Sequence, residues 1–114
     1  MSSATEIQST NILSPKLYDC RDAYSQALES MAQSDPRVCV VVSDSISSTK
    51  TKSFSTRFPN RFVNVGIAEQ NMVGVGAGLA NSGMVPYVCA ASCFLPARAM
   101  EQIKVDLGSS NHNV

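Results

Sequence analysis

Three side chains in this sequence stand where ligands are commonly handled. Glu69 comes three residues after Gly66, the glycine that breaks the β-rich run Arg61–Val65, and it opens a segment of small apolar residues. Asp44 closely follows the apolar run "VCVVV", and Phe94 follows the run "VPYVCAA". A carboxylate at the C-terminal end of a parallel strand can hold or pass a proton, and an aromatic ring there can stack on a flat heterocycle. Each residue also has a plainer use. Glu69 would complement the dipole of the helix it opens, by a few tenths to ~1 kcal/mol. Asp44 would form the turn in "SDS", and Phe94 would fill core. What favours chemistry is convergence, because all three would leave the same edge of one sheet.

The glycines and cysteines suggest other chemistry and then fail to support it. Gly74, Gly76 and Gly78 give G-x-G-x-G. A dinucleotide-binding turn needs G-x-G-x-x-G directly after a strand, with its first glycines outside the helix. Here they fall well inside a helical pattern, where each costs roughly 1 kcal/mol against alanine. Close packing of that helix against another helix or a second chain is the better use. Cys20, Cys39, Cys89 and Cys93 lie in apolar runs without C-x-x-C pairs, and the single histidine, His112, is near the end. The expectation is four buried, reduced thiols in a cytoplasmic protein.

The elements that would position these residues follow from periodicity. Asp19 and Asp22 mark an acidic helix start, and Cys20, Tyr24, Ala27, Leu28 and Met31 recur on one face until Pro36. "VCVVV", Val38–Val42, is continuous and apolar, as a parallel strand buried on both faces should be. The polar stretch to Arg61 predicts loop with one turn of helix, and "FVNV" a second strand. Ala68–Ser82 reads as helix with Gly83 capping it, "VPYVCAA" as a third strand, and Pro96–Leu107 as a third helix. The tail "DLGSSNHNV" predicts a polar loop leading to a strand at Val114. The fold class is therefore α/β, a parallel sheet with flanking helices and right-handed crossovers. Three strands make a thin sheet, so the natural domain is expected to be longer.

Composition narrows the partners. The chain has 114 residues, with nine basic and nine acidic side chains. That balance gives no electrostatic case for nucleic acid or an anionic membrane, and no apolar run approaches the ~20 residues of a membrane span. The opening "MSSATEIQSTNILSPK" has no basic region followed by an apolar one, which argues against a secretory signal. Residues 1–16 are expected to form a flexible tail.

The residues from about Tyr18 onward resemble the pyrimidine-binding domain of transketolase, a thiamine-diphosphate enzyme. The stretches that carry the resemblance are "RDAYSQAL", the acid in "VVSDS", "FPNRF", "GIAEQNM" and "FLPARAMEQIK". It implies the thiamine-diphosphate-binding fold for residues 17–114. It also implies that Glu69 contacts the ring nitrogen N1′ of the cofactor's aminopyrimidine. That contact favours the imino tautomer, which then accepts the proton of the thiazolium carbon. Phe94 corresponds to an aromatic lining the pyrimidine pocket, and Asp44 to an acid near the cofactor. Two departures stand out. Ala91 replaces an aromatic common three residues before Phe94, and Asn71 stands where a histidine is usual.

The resemblance also implies what must come from elsewhere. The family holds Mg2+ and the diphosphate through a G-D-G motif, and none occurs in this chain. An N-terminal transketolase subunit with the pyrophosphate-binding domain is therefore the expected partner, in a homo- or hetero-oligomer, with this chain inactive alone. The expected reaction is transfer of two-carbon ketol units between sugar phosphates. Alternatives are a deoxyxylulose-phosphate synthase, a β chain of a 2-oxoacid dehydrogenase, or a truncated, non-catalytic interaction module.

Overall fold

A computed structural model describes residues 17–114, so the expected tail over 1–16 lies outside the described residues. Helix α1 spans Cys20–Ser34, and the carboxylate of Asp19 caps it by accepting the backbone N–H of Arg21. Strand β1 covers Val38–Val42 and is buried along its whole length. A long connection contains the short helix α2, Lys52–Arg57, and leads through a 3-10 turn into β2, Phe62–Asn64. Helix α3 runs Glu69–Asn81, β3 covers Val85–Cys89 and α4 Leu95–Gln102.

The sheet order is β2-β1-β3, with both pairings parallel. β1 is therefore central among the described strands, which is why its sequence is apolar without alternation. Val38, Val40 and Val42 pack with Leu28 and Ala32 of α1 and Phe54 of α2. The intervening Cys39 and Val41 point to the opposite face, and Val41 pairs there with Val88. Gly76 of α3 meets that face so closely that a Cβ on it would lie 2.9 Å from Val88 Cγ1. The glycine thus serves close approach, as expected, but to a strand of its own sheet. Gly78 has open space around its position.

Several details differ from expectation. The buried line of α1 is Ser25, Leu28 and Ala32, while Cys20 and Ala27 are exposed and Met31 is half-buried. The rotation follows from Ser25, whose hydroxyl donates to the Lys50 carbonyl at 2.8 Å and is thereby satisfied in the interior. The third helix breaks at Ala99 (φ −121°, ψ 16°), then continues as a wide π-type turn over Ile103–Ser109 instead of ending at Leu107. Val114 forms no strand; its side chain packs beside Gly76. Gly83, at φ +90°, closes α3 as expected.

The four thiols also split into two kinds. Cys39 and Cys89 are buried, and burial pushes both pKa values up. Cys20 and Cys93 are exposed, which corrects the expectation of four buried thiols. Iodoacetamide should therefore modify Cys20 and Cys93 in the native protein and reach Cys39 and Cys89 only in urea. Peptide mass mapping checks this, and native labelling of Cys39 would show that β1 is far less protected than its burial implies.

Candidate functional site

All three strands end at one edge of the sheet, and the chain turns differently after each. After β1 the turn places Asp44 at φ +57°, a left-handed conformation that aspartate tolerates better than most residues. The carboxamide of Asn64 braces it. Asn64 Oδ1 accepts the backbone N–H of Asp44 at 2.9 Å and that of Gly66 at 3.0 Å. The ends of β1 and β2 are thereby tied through one side-chain oxygen. On the other flank Ser45 Oγ donates to the Cys89 carbonyl at 3.2 Å, joining the ends of β1 and β3. Polar side chains thus replace the strand ladder just where the strands diverge.

Gly66, at φ +77°, releases the chain from β2 into α3. Helix α3 has no side-chain cap at Ala68, so its first turn opens directly on Glu69. Glu69 is buried, with 5% of its surface exposed. Its Oε1 accepts a hydrogen bond from Arg98 Nη1 of α4 at 3.0 Å. The pair is lopsided, because the Glu69 side chain is 6% exposed and that of Arg98 50%. Arg98 brings both an opposite charge and a hydrogen-bond donor, which offsets part of the cost of placing a carboxylate out of water.

Phe94 sits at the start of α4, 44% exposed, and the Arg98 guanidinium carbon lies 4.3 Å from its ring centroid. The spacing of four residues puts both on one helix face. Asp44, Glu69, Phe94, Ala91 and Arg98 all line one concavity of about 240 Å³. The three residues singled out in the sequence therefore share a site. Phe94 faces this concavity and is not core.

Ala91 also lines a neighbouring cavity of about 550 Å³ with Cys20, Tyr24 and Cys89. Ala91 and Ser48 line both spaces. On the other side, Glu69, Arg98 and Asn71 border a shallow depression. Asn71 thus lies next to Glu69 but outside the smaller concavity. Among the described residues no cluster of three or more histidine, cysteine, aspartate or glutamate side chains could hold a metal ion. Nor is any helix long and apolar enough to cross a membrane.

Sequence reasoning missed two members of this site. Arg98 carried a signal, because it lies one helical turn beyond Phe94. Asn64 carried none, since its partners are set by how two strands end.

The site is built from a buried acid, an adjacent aromatic and a strained aspartate at the C-terminal edge of a parallel sheet. That arrangement suits a planar ligand with a ring nitrogen able to share a proton with a carboxylate. Comparison with known proteins gives the family. Residues 16–114 match the family model described as transketolase, pyrimidine binding domain. The chain is 42% identical over 95 residues to an apulose-4-phosphate transketolase subunit of Phocaeicola vulgatus, covering 83% of this chain and 30% of that protein. It is 38% identical over 90 residues to 1-deoxy-D-xylulose-5-phosphate synthase of Symbiobacterium thermophilum, covering 79% and 14% respectively. A solved structure described as a split gene transketolase, inactive beta4 tetramer, superposes with a TM-score of 0.66 at 44% identity. That superposition covers 74% of this chain and 28% of the other. The chain spans less than a third of the length of each of these proteins.

Proposed function

The chain belongs to the family of transketolase pyrimidine-binding domains, and on that premise we propose that it supplies the pyrimidine side of a thiamine-diphosphate site. The enzyme would transfer two-carbon ketol units between sugar phosphates. The observation that carries this reading is Glu69, a buried carboxylate that opens a helix beside an exposed aromatic ring.

The residues present fit the cofactor's pyrimidine. Glu69 offers a buried carboxylate able to exchange a proton with a ring nitrogen, and Phe94 offers a ring face for stacking. Asp44 would lie along the rim, with its backbone fixed by Asn64. When bound, thiamine diphosphate supplies a carbanion nucleophile that splits and re-forms carbon–carbon bonds next to a carbonyl. The task of Glu69 is to hold a proton at the ring nitrogen, which biases the pyrimidine toward its imino form. The diphosphate and Mg2+ would be held by a partner chain carrying the pyrophosphate-binding domain, so the site would be complete only in an oligomer.

The test is native mass spectrometry of the protein from its own cells, followed by titration with Mg2+ and thiamine diphosphate. A complex with a larger subunit that binds the cofactor is the expected result. A lone chain with no cofactor affinity would leave only an interaction module. The match to 1-deoxy-D-xylulose-5-phosphate synthase favours a second reaction, and product analysis separates the two. Ketol transfer releases no carbon dioxide, whereas the synthase reaction decarboxylates its donor.

A further inference from the structure

Arg98 makes two contacts that bear on how the site fills. Its guanidinium lies over the Phe94 ring, 4.3 Å from the centroid, and its Nη1 donates to Glu69 Oε1 at 3.0 Å. A guanidinium is planar and delocalised, with N–H donors in its plane and faces suited to stacking. An aminopyrimidine stacked on Phe94 and bonded to Glu69 would use the same two partners in the same manner. The two groups therefore compete for one place.

We propose that Arg98 is a placeholder for the aminopyrimidine, stacking on Phe94 and neutralising Glu69 until the cofactor's ring displaces it. The inference rests on the thiamine-diphosphate reading of this site. The asymmetry of the pair says which partner moves. Arg98 is half in water and can swing into solvent on its long stem, while Glu69 is enclosed. Between occupants the arginine also spares Glu69 an unpaired buried charge, which would otherwise disfavour the open site. Its reach is set by the helix, since Phe94 and Arg98 are one turn apart at the start of α4.

Competition of this kind lowers the cofactor's apparent affinity by the fraction of molecules in which the placeholder is out. The test is calorimetric titration of Mg2+–thiamine diphosphate into the natural assembly carrying wild-type chain, Arg98→Ala or Arg98→Gln. The glutamine variant keeps a polar but shorter, uncharged side chain without the guanidinium plane, so a folding defect in the alanine variant leaves a readable result. Both variants should bind the cofactor roughly tenfold more tightly than wild type, as expected if the placeholder is out about a tenth of the time. Free guanidinium at low millimolar concentration should weaken binding to Arg98→Ala and leave wild type unaffected, because it refills the emptied place. Unchanged or weaker cofactor binding by both variants, with wild type binding normally, overturns the placeholder role alone. Absence of cofactor binding in wild type and variants together overturns the cofactor reading, and the placeholder with it.

Discussion

Glu69→Gln is expected to lower thiamine-diphosphate-dependent turnover of the assembled enzyme by a factor of about 10²–10⁴, the usual worth of a positioned acid–base group. Glutamine nearly preserves shape, and its carbonyl oxygen can still accept the Arg98 hydrogen bond that Glu69 Oε1 accepts at 3.0 Å. What it lacks is a carboxylate that can take up and return a proton at the ring nitrogen. The substitution therefore removes the proposed chemistry while leaving the packing around a 5%-exposed side chain in place. Steady-state turnover and a thermal melt on the same preparation check this. Turnover within about threefold of wild type would remove Glu69 from the mechanism, whereas lost turnover with an unchanged melt is the signature of lost chemistry.

Phe54→Ala should destabilise the fold by about 3–5 kcal/mol, the range for truncating a fully buried aromatic. Phe54 has no exposed surface, and its ring lies 5.1 Å from that of Phe58 and 6.5 Å from that of Phe62. It is the one fully buried residue of α2 and pins the long connection between β1 and β2 to the sheet. Truncation leaves a cavity under a segment whose other anchors are polar, among them the Ser25–Lys50 and Arg21–Ser48 hydrogen bonds and the Arg57–Glu29 ion pair. Urea unfolding of purified wild type and variant measures the difference. A loss below about 1 kcal/mol would mean that the connection is held by its hydrogen bonds instead. Because that connection begins at Asp44, the rim of the site should loosen with it.

How far the sequence discloses this architecture depends on the range of the forces involved. β1 is legible because burial on both faces leaves a continuous apolar run in five adjacent residues. The start of α1 at Asp19 and the end of α3 before Gly83 are legible because caps act within a few residues. Asp44, Glu69 and Phe94 are legible as a group because parallel strands deliver their C-terminal ends to one edge. The face of α1 is not, because the apolar types at Cys20 and Ala27 count for less than one hydroxyl bonding a carbonyl 25 residues away. Arg61 is similar. Its guanidinium donates to the carbonyls of Ala32, Asp35 and Val38, closing the end of α1 from across the fold. Nothing local to Arg61 announces those partners. The break at Ala99 has no sequence marker, since neither proline nor glycine occupies it.

The order of the three strands has a consequence for self-association. Among the described residues the outer sides of β2 and β3 are unpaired, and such edges template the addition of foreign strands. Each edge is a poor template, for a different reason. β2 is only three residues long. In β3 the N–H of Val85 points toward β1, where it donates to the Arg37 carbonyl, so the next residue, Pro86, faces outward. A strand arriving there finds a position with no donor. The same proline that leaves the inner ladder intact thus makes the outer one harder to extend.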